Sequence, residues 1–352
     1  MKVRFCISGF IFIALCISCT NQRGGDKNSS ISFINLESEK KLDVKVDGKL
    51  FTSFCWPDDV YKPILYPVVT SGGTEITRGF PLKPREGERN DHIHQVGIWL
   101  NYGNVNGIDF WGNGYRGVKE PNGGVIKHRS IERLASRNGE GSFVSVEDWL
   151  SPTGKKILGE KTEYHFTAGG ATRIIDRVTT LTAGDSTVLF KDTKEGMFGI
   201  RVARQLELPS KEGVILLDTQ GNPLPEKDTL NSEVTGNYFS SEGISGDAVW
   251  GTRARWMNLS GVIGNENISI VVCDHPKNPG YPTYWHARGY GLFAANPFGW
   301  NDFTEGKEKF NFSIPATKSA KFRYRVIISS THLTDNEINK YADEFGKMYN
   351  KK

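Results

Sequence analysis

The chain has 352 residues, 38% of them hydrophobic, and a formal net charge of +4, enough apolar material for one large domain or two modest ones. Lys and Arg form no dense block and the charge is near neutral, which argues against a nucleic-acid partner. Beyond residue 19 only Cys55 and Cys273 remain, too few for a disulfide framework or a CxxC metal site; they read as buried thiols, with pairing in an oxidising compartment as the alternative.

Lys2 and Arg4 precede an apolar run from Ile7 to Ile17. At roughly 11 residues it is too short to span a bilayer, which takes about 20, and it has the layout of a secretory signal. Leu15-Cys16-Ile17-Ser18-Cys19 resembles a bacterial lipobox, in which a small residue precedes the Cys that is cleaved and acylated. Residues 1–18 are therefore expected to be a lipoprotein-type signal peptide and Cys19 the lipid anchor. The polar, Gly/Ser-rich stretch to residue 30 reads as a flexible tether. Loss of residues 1–18 removes Lys2 and Arg4 and lowers the charge to +2. Such a protein meets a membrane through its lipid, in the periplasm or at the outer membrane, and no nucleotide cofactor is expected there.

The remainder, 31–352, reads as one all-β domain. Leu42, Val44 and Val46 alternate with polar residues, and Asp47-Gly48 offers a two-residue turn into Leu50 to Phe54, a hairpin signal. Gly72-Gly73 turns between Pro67–Thr70 and Glu75–Thr77. From Ile157 to Leu208 four strands are predicted, broken at Ala168-Gly169-Gly170, Ala183-Gly184-Asp185 and Lys194-Glu195-Gly196. Val262 to Val272, Gly291 to Ala294 and Phe322 to Ser329 continue the pattern. Helical spacing is clear only at the C-terminus, where Thr334 and Glu337 make a capping box and Ile338, Tyr341, Phe345 and Met348 share a face. Many strands and one short helix predict a large β-sandwich, of the galactose-mutarotase-like supersandwich type by analogy of length.

Four segments concentrate chemistry: Thr77–Pro81 with Asp91–Gly97, Val105–Trp111, Asp192–Arg201, and Asp274–Gly299. His92 and His94 form an H-x-H pair whose rings share one side if the backbone is extended. With Glu195 and His286 they could ligate a single divalent metal, line a metal-free polar pocket, or be structural. His286 is the first choice for a general acid or base. Glu195, beside Lys194 at a turn, suits a base or ligand. Arg78, Arg201, Arg288 and Lys194 suit oxyanions or hydroxyls. Asp109 and Asn296 suit sugar hydroxyls, and Trp111, Trp285 and Tyr290 the apolar face of a sugar. His275 reads as a turn cap, and His128, His165 and His332 as structural. There is no GxSxG elbow, Walker loop or placed GxGxxG.

These stretches resemble a known family. Lys62 to Pro67, Thr77 to Pro81, DHIHQVGIW, VNGIDFW, DTKEGMFGIRVA, WGTRARW and DHPKNPGYPTYWHARGYGLFAANPFG are similar to those of DUF6807, a bacterial family commonly labelled methane oxygenase PmoA. Gln95 stands where a second adjacent His is expected in many relatives. The methane-oxidising subunit of that name is a multi-spanning membrane protein, whereas this chain carries one short apolar segment. The resemblance implies a lipoprotein of glycan-degrading bacteria that accompanies sugar dehydrogenases and keto-sugar processing proteins. The expected function is an acid/base enzyme on a carbohydrate or oxidised sugar, of epimerase, lyase or hydrolase type. The alternatives are a non-catalytic glycan-binding lipoprotein and a metal-dependent oxidoreductase.

Overall fold

Two eight-stranded antiparallel sheets lie face to face in the computed structural model, which describes Met1 and residues 29–116, 120–137 and 139–350. The predicted signal, the Cys19 anchor and most of the tether fall outside the described residues. The first sheet runs, in spatial order, Ile31–Leu36, Lys41–Val46, Lys49–Cys55, Ile64–Val68, Ile98–Tyr102, Gly196–Arg201, Leu292–Asn296 and Tyr284–Arg288. The second runs Asn237–Ser240, Trp256–Ile263, Glu266–Asp274, Ser319–Ser329, Thr172–Ala183, Lys156–Gly169, Glu140–Leu150 and Val125–Arg137.

Local chemistry accounts for the turns. Asp47 and Gly48 have φ of 51° and 77°, the left-handed pair that a two-residue hairpin needs, and Val46 pairs with Lys49 directly beyond them. The four predicted strands after Ile157 appear as Lys156–Gly169, Thr172–Ala183, Val188–Leu189 and Gly196–Arg201. Val262 to Val272 is a hairpin rather than one strand, because Gly264, at φ 60°, reverses the chain. The C-terminal helix is Asp335–Lys347, with both hydrogen bonds of the Thr334–Glu337 capping box formed and Ile338 and Phe345 buried. No described helix is long and apolar enough to cross a membrane.

Inward-facing residues of both sheets form one core. Phe51 and Phe54 of the first sheet meet Phe143, Tyr164 and Phe166 of the second, with Phe143 stacked on Tyr164 at 4.8 Å. Each such ring contributes roughly 1.5–3 kcal/mol by leaving water. Cys55 and Cys273 are separate free thiols, both pushed up to about 12 by burial. A second apolar cluster, with Ile64, Trp99, Trp111, Leu292 and Ala294, covers the outer face of the first sheet. The candidate site stands on that outer face.

Candidate active site

Residues 91–95 form a turn, not the extended segment expected for the H-x-H pair. His92 has φ of 42°, and the Gln95 amide donates to the His92 carbonyl at 2.9 Å. The two imidazoles therefore stand edge to face, with centroids 6.0 Å apart. A left-handed histidine costs of order 1 kcal/mol and persists only where its surroundings over-determine it. Arg78 supplies that restraint. Its buried guanidinium donates to the carbonyls of Asp91 (2.8 Å), His92 (3.0 Å) and Gln95 (3.0 Å) and to Asp91 Oδ1 (2.9 Å). Arg201 donates to the same Oδ1 at 2.5 Å and to Gln95 Oε1 at 2.6 Å.

Asp91 Oδ2 is left to accept from His92 Nδ1 at 3.2 Å. Burial pushes the Asp91 carboxyl up, but the His92 hydrogen bond and the Arg201 and Arg78 guanidiniums outweigh it and hold the group well below the usual carboxylate range. An ionised carboxylate on Nδ1 fixes the tautomer with Nε2 as acceptor. Tyr290 completes the support, stacked on the His92 ring at 4.6 Å and lying 4.9 Å from the Arg201 guanidinium.

Opposite stands the turn that carries Lys194 and Glu195. Gly103 lets it approach: its amide donates to the Glu195 carbonyl at 2.7 Å, and a Cβ there would lie 2.7 Å from the Glu195 Cβ. Lys194 Nζ pairs with Glu195 Oε1, and the Lys194 amide donates to Asp302 Oδ2 at 2.7 Å. Asp109 Oδ1 accepts from the Trp111 and Gly112 amides at 2.8 and 3.0 Å. Burial raises its carboxyl above the usual value; those two amides oppose the rise, and the nearby Glu195 adds to it.

These groups line one cavity of about 820 Å³: His92, His94, Asp109, Trp111, Lys194, Glu195, His286, Arg288 and Tyr290, closed on one side by Glu120, Pro121 and Asn122. The sequence nominated all nine of the residues from His92 to Tyr290 for a common site, and the fold brings those nine together. Lys62 lies beneath them. Its buried ammonium donates to the His94 carbonyl at 2.6 Å and to Asn113 Oδ1 at 3.3 Å, and burial pushes it down to about 7 against the pull of Asp109.

Four expected ligand-binding residues stand elsewhere. Trp285 belongs to the inter-sheet core, its indole donating to the Ala254 carbonyl at 3.1 Å. Side chains alternate along a strand, so His286 and Arg288 face outward while Trp285 and Ala287 face in. Arg78 and Arg201 are about 1% exposed or less and act behind the lining, on Asp91 and the 91–95 turn. Asn296 is also buried; its amide donates to the Thr193 carbonyl at 2.9 Å and its Oδ1 accepts from the Phe298 amide at 3.0 Å, which holds the Glu195 turn in place.

His286 reaches the cavity wall but is 3% exposed. It stacks on Trp111, its Nδ1 is buried without a partner, and it bonds the Lys194 backbone. Burial above all pushes it down to about 4, and pushes His94 down to about 3 with help from Lys62 and His92. Both imidazoles should therefore remain neutral from pH 8 down to about pH 5, since the charged form is the one that burial penalises. Imidazole resonances followed by NMR through that range test this; a shift midpoint above pH 6 for either would refute it.

Among the described residues no three His, Cys, Asp or Glu side chains stand together at metal-ligating geometry. The His92, His94, Glu195 and His286 side chains do not converge as such a group, and His286 is turned to the Lys194 backbone. His275 caps a turn, its Nδ1 accepting from the Lys277 amide at 3.1 Å and its Nε2 lying 3.0 Å from the Met348 carbonyl. His128, read as structural, lies 3.3 Å from the buried Glu147. Asp91 and Lys62 are the residues that sequence reasoning underrated; Asp91 adjoins His92, and Lys62 opens one of the family-like stretches.

Several solved structures are similar to the chain at low identity. A GH36 α-galactosidase from Geobacillus stearothermophilus matches with 11% identity and a TM-score of 0.40, covering 85% of this chain and 41% of that one. A galactose mutarotase-like protein from Clostridium acetobutylicum matches with 8% identity and a TM-score of 0.35, covering 86% of this chain and 99% of that one. A glycoside hydrolase family 97 enzyme from Pseudoalteromonas sp. strain K8, in complex with panose, matches with 10% identity and a TM-score of 0.24, over 86% of this chain and 34% of that one. The chain thus spans less than half the length of these glycosidases. No curated protein matches the sequence. The family model described as "Family of unknown function (DUF6807)" matches residues 41–343, and the chain belongs to that family.

Proposed function

We propose that this cavity is the active site of a lipid-anchored envelope enzyme that moves protons on a carbohydrate or an oxidised, keto-sugar derivative. The supporting observation is the Asp91–His92 pair, fixed from behind by two buried guanidiniums and sharing one cavity with Glu195 and Asp109. A base oriented by a carboxylate is the arrangement that proton transfer requires. The lipobox-like Cys19 supports the envelope location.

The roles follow from the contacts. His92 Nε2 takes or returns a proton, and Asp91 stabilises the imidazolium that results. Glu195, across the cavity, is the second proton-transfer group. Asp109, with its raised carboxyl, is suited to donate a proton to a leaving oxygen. Lys194 holds developing negative charge, and Trp111 and Tyr290 offer flat faces to a sugar ring. On a keto-sugar, removal of the proton beside the carbonyl sends the C–H electron pair to oxygen as an enolate. Reprotonation from the other side gives the epimer; expulsion of the substituent on the next carbon gives the unsaturated ketone and an alcohol.

The reading is tested by incubating the protein with 3-keto-glycosides and with the parent glycosides, and following products by NMR. Turnover of the keto form is expected, with a bell-shaped dependence on pH, since one group must be protonated and another not. A rate that stays flat from about pH 5 to pH 9 would contradict a proton-transfer mechanism.

A further inference from the structure

Arg288 and Tyr290 line a second cavity as well as the first. It measures about 560 Å³ and is bordered on its far side by Trp250, Asp247 and Lys211. The two cavities are therefore neighbours across the ridge where the Tyr284–Arg288 strand turns into Leu292–Asn296. Arg288 is exposed, and it forms no ion pair among the described residues. The other arginines near the site are engaged: Arg78 and Arg201 with Asp91, and Arg89 with Glu207 at 2.7 Å.

The Arg288 guanidinium lies over the Trp250 ring at 5.5 Å. Stacking uses the face of a guanidinium and leaves its N–H donors free at the edge, in the plane that suits a bidentate carboxylate. Trp250 is itself held edge-on by Phe303 at 5.4 Å, so the cation is placed before any ligand arrives. Asp247 and Glu212 also line the second cavity and suit the hydroxyls of a sugar; Lys211 is a further cation there, but Arg288 is the cation shared by both cavities, which favours the ridge as the position for the anion.

We propose that the cleft takes an acidic glycan fragment of at least two units, with one sugar in the catalytic cavity, its neighbour in the Trp250 cavity, and a uronate carboxylate on Arg288. This rests on the carbohydrate reading of the first cavity and adds to it the length and charge of the ligand.

The test is calorimetric titration of the full chain with cellobiouronic and digalacturonic acids, with cellobiose and galactobiose as neutral counterparts, and with glucuronic and galacturonic acids as single units. At least one acidic disaccharide is expected to bind about tenfold or more tighter than its neutral counterpart, as one charge-assisted bidentate contact provides, and tighter than its monosaccharide. Arg288→Ala is expected to weaken acidic-disaccharide binding about tenfold or more, so that the difference between acidic and neutral disaccharides disappears, and Arg288→Lys to restore part of it. Trp250→Leu is expected to reduce disaccharide binding toward that of the monosaccharide. Equal binding of acidic and neutral disaccharides, or a preference that survives Arg288→Ala, overturns the proposal and leaves the carbohydrate reading standing. No binding of any sugar overturns both.

Discussion

Replacing His92 with Asn is expected to lower kcat/KM by about 10²–10⁴-fold, the usual contribution of a positioned acid or base, with little loss of stability. Asn is chosen for the backbone. Position 92 is left-handed, at φ 42°, and Asn tolerates that region better than Ala does. Its amide cannot take a proton near neutral pH, so the substitution removes the chemistry and keeps the turn. Thermal unfolding of the variant should match the wild type, because the His92 side chain is 39% exposed. Asp91→Asn is expected to give a similar loss for another reason: an amide no longer stabilises the imidazolium and can hold the wrong tautomer. A variant at either position with turnover within about threefold of wild type would fall outside the range of general acid–base catalysis and remove this pair from the mechanism.

The second large effect concerns stability. Arg201→Met should destabilise the fold by about 3–5 kcal/mol, the range for breaking a buried ion pair by removing one partner. Three contacts are lost together: Asp91 Oδ1, Gln95 Oε1 and the Tyr290 ring. The low end of the range is expected, because the Asp91 side chain is 32% exposed and Arg78 still holds it. A denaturant midpoint is the measure, with the change in free energy read at constant m. A loss below about 1 kcal/mol would mean that solvent replaces the guanidinium without cost, as it does for surface pairs. Activity should fall with stability here, since Asp91 and Tyr290, both supported by Arg201, orient His92.

Much of this architecture was legible in the sequence, for reasons that differ by residue. Alternation at Leu42, Val44 and Val46, the Asp47-Gly48 turn and the Thr334–Glu337 box are local signals, and local geometry obeys them. The strands Val125–Arg137 and Glu140–Leu150 went unrecognised. Val125–Arg137 lies mostly exposed, with too few apolar residues to show a period.

At the site, clustering of His, acid, Arg and Trp located the right segments, but residue type could not tell lining from support. Trp285 and His286 are adjacent, yet strand alternation sends one to the core and the other to the cavity. Arg78 and Arg201 looked like ligand-binding cations; the carboxylate they bind is the protein's own Asp91. The distinction depends on which charges meet in space, across 13 and 110 residues of chain, and no local pattern encodes it. The same holds for Glu195 and Asp109, whose shared cavity joins two loops far apart in sequence.

The central claim is that His92 and Glu195 exchange protons with carbon on a sugar held between them. Deuterium incorporation from heavy water into methyl 3-keto-α-D-glucopyranoside, at the carbons beside its carbonyl, reports that step even when no net product forms. The wild-type chain should accelerate incorporation above the buffer rate, and His92→Asn and Glu195→Gln should each return it close to that rate. Exchange at the buffer rate with wild-type protein, or undiminished exchange in both variants, would contradict the account.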